Sequence, residues 1–566
     1  MNIGMIIQRK YLAVIVVFAI IACTLFIFSL REPYHYDTAE YMQAVQVFKE
    51  TSEIKCFPEA RCFNSYSLLP LSLVFGYMTL PVTIFLSAIL TLIMYFCWIK
   101  ELTDRTTALI STLLLFAVPA SIMTITHMKE DFLVLMYMLA ALLLISKKTP
   151  GYARYTAGIF YALAILSKEM PIMFLPLFAV SIYVYNVKDA AQWGGFLSKD
   201  TLLRGAKDIA VFLVVTLVTV SVFNRHHFQS LWMSTASPYV GQFKGLFSSI
   251  FPLGISIWKY GVGVFLFFGQ FFGVISPALE TDRVKKSLYA VFIIQFVLLS
   301  FFLCNLTVVR YRHFLWPSLL SFPLMVVVFR NVLSTLKIRK PLSELLTWGT
   351  FVLTAVFLFY TVYPALSFHS KVNIIAGFYK NIPTENTNTL IMGMDNCIFV
   401  QYFSRLRCIG HPVDATEAQA VEFTNSIAAE MQNGTTVLIL PDFFSYDTYN
   451  TMAKAFTTSF SFKDVYSAWF QNYHNMDYGY GLEEYKQLTR SYLKKTPKDD
   501  RICNTVYYKS AQGNIPAPNG AGLDIDLYTY NTYCEGGSYT EKDIPVINNR
   551  VFADLKIAGV VQLQRR

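Results

Sequence analysis

Charge is what this chain has least of. Only 15% of its 566 residues are Asp, Glu, Lys or Arg, while 54% are hydrophobic and 16% aromatic. A soluble domain carries about a quarter charged residues, so an ordinary cytosolic enzyme is excluded, as is a disordered or collagen-like chain. Cysteine pairing of the metal-binding kind is also lacking: there is no Cys-x-x-Cys, and histidine does not gather around the nine cysteines. Neither an internal repeat nor a low-complexity tract is present. Acidic residues are short in one half only. Up to His369, 29 Lys+Arg stand against 17 Asp+Glu; from Ser370 onward the balance is 18 against 20. The overall +10 therefore belongs to the apolar half, where a basic surplus reports topology rather than a nucleic-acid partner.

What is there is a series of uncharged apolar runs. A bilayer core needs roughly 20 helical residues, and spans are expected near 11–30, 80–99, 107–125, 132–146, 155–167, 170–187, 209–224, 260–277, 288–305, 314–330 and 345–364, with 68–79 as a further half-span. The expected class is thus a polytopic α-helical membrane protein of about eleven spans in residues 1–369, followed by an extracytoplasmic α/β domain in residues 370–566. The first run exceeds the 7–15 residues of a signal-peptide core and lacks a small-residue cleavage site, so it reads as an uncleaved helix. With the N-terminus inside, 18 of the 29 basic residues fall in cytoplasmic segments and 11 on the other face, as the positive-inside rule favours. An odd number of spans then puts the tail outside. Cys23, Cys97 and Cys304 lie in apolar runs and read as packing residues, whereas Cys56, Cys62, Cys397, Cys408, Cys503 and Cys534 all fall outside. Six cysteines in an oxidising compartment fit three disulfides, with Cys56–Cys62 and Cys397–Cys408 as local pairs and Cys503–Cys534 remaining.

In the tail, Thr389–Gly393 and Thr436–Leu440 are short buried-strand patterns separated by helical spacing over Asp414–Gln432, and Ile557–Leu563 is a late strand that closes a mixed sheet. Tyr473–Gly481 and Gly513–Gly522 read as loops, and Asp524 and Asp526 form an isolated Asp-x-Asp. Asn305 and Asn433 head Asn-x-Thr sequons.

Ionisable groups at the ends of membrane helices are costly and mark functional candidates. Those on the outer face are unevenly distributed. The first outer loop (31–67) carries His35, Asp37, Glu40 and Tyr41, and if a helix starts there Asp37, Glu40 and Tyr41 share a face. A second cluster, His127-Met-Lys129-Glu130-Asp131, precedes the fourth span, and Ser167-Lys168-Glu169 separates the fifth and sixth. Arg225-His226-His227 opens a long loop, and Arg310-Tyr311-Arg312-His313 precedes a Pro-bearing span. Arginines on the outer face run against the positive-inside trend, and guanidinium suits bidentate contact with phosphate. Carboxylates early and cations late are what glycosyl transfer from a lipid phosphate needs: a base for the acceptor hydroxyl and cations for the leaving phosphate.

On these motifs the chain resembles the GT-C superfamily of membrane glycosyltransferases, in particular protein O-mannosyltransferases and polyprenyl-phosphate aminoarabinose transferases. An acid follows span 1 (Asp37, in HYDTAEY), another opens span 4 (Asp131), a Ser-Lys pair ends a helix (Ser167-Lys168), and RYRHFLWP precedes a late span. Asp37-Thr38 stands where many relatives have paired acids, which leaves the part of Glu40 open. The resemblance implies an inverting transferase that uses a polyprenyl- or dolichyl-phosphate sugar, with a lipid, glycan or protein hydroxyl as acceptor. Asp37 would be the base, Glu40, Glu130 and Asp131 supporting acids, and Lys168, Arg310 and Arg312 the phosphate ligands. His35, Tyr311 and His313 are further candidates. No cofactor is certain; some relatives hold a divalent metal with such acids, which here would be Asp37 and Asp131. The competing readings are a transporter or flippase of lipid-linked saccharides, a non-catalytic receptor or scaffold, and a lipid-linked polymerase or ligase.

Overall fold

The computed structural model of the chain describes residues 36–51, 62–75, 79–126, 129–146, 152–168, 170–187, 198–223, 251–306, 311–369, 382, 388–394, 397–412, 415–440, 443, 451–468, 507–510, 513–516 and 558–565. They form two compact units: one from Ala44 to Leu366, the other from Ser367 onward together with the start of the first helix, up to Gln43.

The larger unit is helical. Among the described residues, five of its helices are long and apolar enough to cross a bilayer: Thr79–Leu102, Lys199–Phe223, Arg283–Cys304, Arg312–Thr335 and Lys340–Tyr360. Four shorter apolar helices accompany them, Arg105–Ala117, Asp131–Ser146, Met170–Tyr185 and Val264–Leu279. This is an integral multi-pass membrane protein. Leu217, Val218 and Val222 on one peripheral helix and Leu353, Val356 and Phe357 on another stay exposed, as lipid-facing side chains should, because the backbone polar groups are satisfied inside each helix.

Several expected spans are not single straight helices. The run at 107–125 breaks at Val118-Pro119 into Arg105–Ala117 and Pro119–Thr126; proline ends the first helix because its predecessor avoids the helical region. The run at 260–277 is interrupted by Gly263 at φ 84° and again by a 3₁₀ turn, giving Phe251–Val262, Val264–Phe272 and Ser276–Leu279. The span expected at 209–224 begins ten residues earlier, at Lys199. The run at 11–30 lies outside the described residues. Gly254 lets two helices touch: a Cβ there would meet the Cys304 backbone at 2.4 Å. Cys304 is buried, whereas Cys97 faces outward, so only the former packs inside the protein.

The second unit carries a five-stranded sheet. Strands β1 (Thr389–Met392), β2 (Arg407–Ile409) and β3 (Thr436–Ile439) are parallel, while β7 (Ala558–Arg565) runs antiparallel to β3 and to β4 (Phe460–Ala468), in the order β2-β1-β3-β7-β4. The β1–β3 crossover includes the helix Glu417–Gln432, which starts with a capping box between Thr416 and Gln419 and is followed by Gly434 at φ 82°. One side of the sheet packs Leu390, Met392, Val437, Ile439 and Leu563 against Ala420, Ile427, Met452 and Phe456. A separate hairpin pairs β5 (Tyr507–Ser510) with β6 (Gly513–Pro516), so the segment expected to loop from Gly513 begins as a strand; proline closes it at the end, where its missing N–H costs least. Cys397 and Cys408 are joined by a disulfide. Cys56, Cys503 and Cys534 lie outside the described residues, as do the aromatic loop 473–481 and Asp524 and Asp526; of the Cys62 side chain nothing is described. Asn305 is fully buried and its amide donates to the Phe301 carbonyl.

Candidate active site

The helices Asp131–Ser146 and Tyr152–Ser167 follow one another in the chain and pack side by side. The amino end of the first thereby meets the carboxyl end of the second. Asp131 is the first residue of its helix, where the macrodipole favours an anion, and Lys168 directly follows the other helix, where it favours a cation. Lys168 Nζ donates to Asp131 Oδ1 at 2.7 Å and lies 3.4 Å from Glu130 Oε1. All three side chains are buried: Asp131 is 0% exposed, Glu130 and Lys168 4%. Taking such charges out of water costs several kcal/mol per ion, so the pairing is what permits their burial.

Neighbouring elements fix this pair. The indole N–H of Trp316, the second residue of the Leu315–Thr335 helix, donates to the same Asp131 Oδ1 at 3.3 Å. Trp316 is 0% exposed and packs on Phe174, with ring centroids 5.6 Å apart. The Asn64 amide donates to the Ser167 carbonyl at 2.9 Å, satisfying a helix-end acceptor beside Lys168. The Thr91 hydroxyl holds the Phe132 carbonyl at 2.8 Å, and the Tyr161 hydroxyl holds that of Pro171 at 2.7 Å. Arg312 enters on the short 3₁₀ turn Tyr311–Phe314, and its charge acts on Asp131. Among the described residues, Arg312 Nε and Nη1 and Asp131 Oδ2 are buried without a hydrogen-bond partner. Two cations (Lys168, Arg312) thus stand here against two carboxylates (Glu130, Asp131).

Asp131 Oδ1 is thus held by an ammonium and an indole N–H, while Oδ2 has no partner among the described residues. No three His, Cys, Asp or Glu side chains converge among the described residues.

No family model matches the sequence, and no curated protein does. Solved structures do match. The archaeal oligosaccharyltransferase AglB from Archaeoglobus fulgidus, in complex with an inhibitory peptide and a dolichol-phosphate, superposes with a TM-score of 0.50 at 12% identity, over 80% of this chain and 73% of that one. At this identity the likeness is one of fold, which is GT-C-like. ArnT from Cupriavidus metallidurans bound to undecaprenyl phosphate is also similar, with a TM-score of 0.49 at 14% identity, over 76% of this chain and 94% of that one.

Within this GT-C-like fold, Glu130, Asp131, Lys168 and Arg312 come from three distant stretches of sequence to one place. His313, 5% exposed, is the next residue on the same turn as Arg312. Asp37 and Glu40 lie in the first turns of the helix Tyr36–Thr51; their side chains, and that of Tyr311, are not among those described. His35 and Arg310 lie outside the described residues. Two participants were not singled out from sequence. Trp316 sits inside an apolar run, and its N–H has no pattern that would distinguish it from a packing residue. Asn64 lies in the first outer loop as a lone amide, and only its contact with the Ser167 carbonyl reveals it.

Proposed function

We propose that this protein is a glycosyltransferase that moves a sugar from a polyprenyl- or dolichyl-phosphate carrier to an acceptor hydroxyl at the outer face of the membrane. One observation carries the reading: the buried charged cluster in which Arg312 Nε and Nη1 have no hydrogen-bond partner among the described residues. A lipid phosphate would bring acceptor oxygens to Arg312. The dolichol-phosphate in the AglB complex supports a carrier of this class.

In the proposed step Asp37 takes the proton of the acceptor hydroxyl while its oxygen attacks the anomeric carbon from the face opposite the leaving group. The carbon–oxygen bond to phosphate breaks, and its electron pair leaves with the carrier as lipid phosphate. Arg312 and Arg310 neutralise that charge. Lys168, held by Asp131 and Glu130, supplies a fixed positive field beside it, and the two acids keep the ammonium in register. Nucleotide sugars are not expected outside the cell, which is why a carrier that crosses the membrane suits the expected topology. On this reading the basic loops face the cytoplasm and the Lys168 end faces outward.

A carrier-linked sugar with its glycosyl group labelled, mixed with membranes containing the protein, tests the reading. Transfer of label with release of lipid phosphate is expected, and Asp37→Asn should lower the rate by a factor of about 10² or more while the folded yield stays unchanged. Label that crosses the bilayer still attached to its carrier would identify a flippase instead. An intact, untransported donor would favour a receptor or scaffold.

A further inference from the structure

The second unit contains more than the tail: the start of the helix Tyr36–Thr51, up to Gln43, belongs to it. Its physical link is a short amide relay. Gln43 Nε2 donates to Gln401 Oε1 at 2.6 Å, and Gln401 Nε2 donates to the Cys408 carbonyl at 3.2 Å. Gln401 stands in the helix Cys397–Ser404, Cys408 in the middle of β2, and the disulfide between Cys397 and Cys408 ties the two ends of this α–β turn together. β2 is in turn hydrogen-bonded to β1, in the sheet core. A chain of bonds therefore runs from the sheet through Cys408 and Gln401 to Gln43. These residues are 358 positions apart in sequence, so no local preference of either segment produces the contact.

We infer that the second unit acts as a clamp on the amino-terminal turns of the Tyr36–Thr51 helix, and that Gln43 and Gln401 are positioning residues for Asp37. Asp37 lies six residues before Gln43, about 9 Å along the helix. Glu40 lies one turn from Gln43, on the same side by its i, i+3 spacing. Both amides are half-buried, and each bond contributes a modest net stabilisation. An isolated helix of 16 residues is marginal on its own; its first turns fray unless something holds them, and a base on a fraying turn is not held within reach of a hydroxyl. The clamp gives the tail a task within the proposed reaction. In its catalytic part the inference rests on the glycosyl-transfer reading; the clamp itself does not.

Hydrogen–deuterium exchange of the full-length protein in lipid nanodiscs tests it, comparing wild type with Gln43→Met, Gln401→Met and the double variant, each close to isosteric. Amides in residues 36–43 should exchange about three- to tenfold faster in either single variant, with no further gain in the double, while β1 and β3 keep their protection. With the labelled donor, kcat should fall in the single variants with the donor KM little changed, as expected if Asp37 is misplaced rather than the carrier site damaged. Unchanged protection at 36–43 in both single variants overturns the clamp, as does an effect in the double equal to the sum of the singles. Loss of β1 and β3 protection together with 36–43 also overturns it, since the amides would then hold the domain and not the helix. Faster exchange in a protein whose wild type transfers no sugar sinks the transferase reading and leaves the clamp standing.

Discussion

The Leu315–Thr335 helix meets an ion-paired carboxylate of another element at each end, and the two ends obey different rules. Near its start, Trp316 meets Asp131, which is paired with Lys168 in a site closed to solvent. About 21 Å further on, Arg330 pairs with Asp104 and donates to the Thr107 hydroxyl at 2.8 Å. Asp104 caps the Arg105–Ala117 helix, accepting from the N–H groups of Thr106 and Thr107. Here the Asp104 side chain is about half exposed, at 49%, and that of Arg330 is 30% exposed. The wet pair does a structural task, stopping one helix and tying it to another, and water would replace each lost contact. At the dry end nothing replaces them. Charges tolerated there are coupled to one another, so the end with the greater energetic stake is also the one with polar atoms left for a ligand.

Breaking the two pairs should separate these cases. Lys168→Met leaves Asp131 buried without its counter-charge and should destabilise the protein by about 3–5 kcal/mol, read as a fall in the midpoint of detergent-solubilised thermal unfolding. Adding Asp131→Asn should recover part of that loss, because the double variant leaves one buried carboxylate, Glu130, without the Lys168 ammonium instead of two. A smaller effect is expected from Trp316→Phe, which keeps the ring and removes the N–H: about 1–2 kcal/mol of stability and a clear loss of transfer rate, with the folded yield retained. If Trp316→Phe were fully active, the indole would be a packing residue and the dry end less finely built than its contacts suggest.

The smallest effect belongs to the wet end. Burial would raise the Asp104 carboxyl, but the hydrogen bonds from Thr107 and the charge of Arg330 outweigh it and hold the group below the usual aspartate value. A depressed folded-state pKa contributes stability above the unfolded value, and that contribution is lost as pH falls through the folded one. The stability difference between wild type and Asp104→Asn should therefore be present at neutral pH, begin to shrink below about pH 4 and vanish only once the pH is below the depressed folded-state value. Arg330→Met should cost no more than about 1 kcal/mol, shrinking in high salt. A cost at the wet end as large as that of Lys168→Met would abolish the distinction between the two ends.

How much of this is legible in the sequence differs by region. The strands at Thr389 and Thr436, the helix between them and the late strand near Ala558 follow from local periodicity and turn residues, and the structure places them there. The membrane runs were legible as apolar helices, but not the places where some of them break. Whether Gly263 interrupts a span or merely sits in one depends on what packs beside it, and a Cβ there would strike Leu358, 95 residues away. Asp131 and Lys168 could each be suspected, as charges where a membrane protein should have none. Their partnership could not.

By itself the sequence determined the division into an apolar, basic first half and a mildly acidic tail, the location of most helices and strands, and which side chains are chemically worth suspecting. These follow from hydrophobicity, period and charge, which act over a few residues or on composition. Tertiary structure alone decided that Lys168 is shared by Asp131 and Glu130, that Trp316 holds the same carboxylate, and that Gln43 reaches Gln401. Each of those contacts joins segments far apart in the chain. Its free energy depends on burial and counter-charge supplied by a neighbour, and no local pattern encodes either.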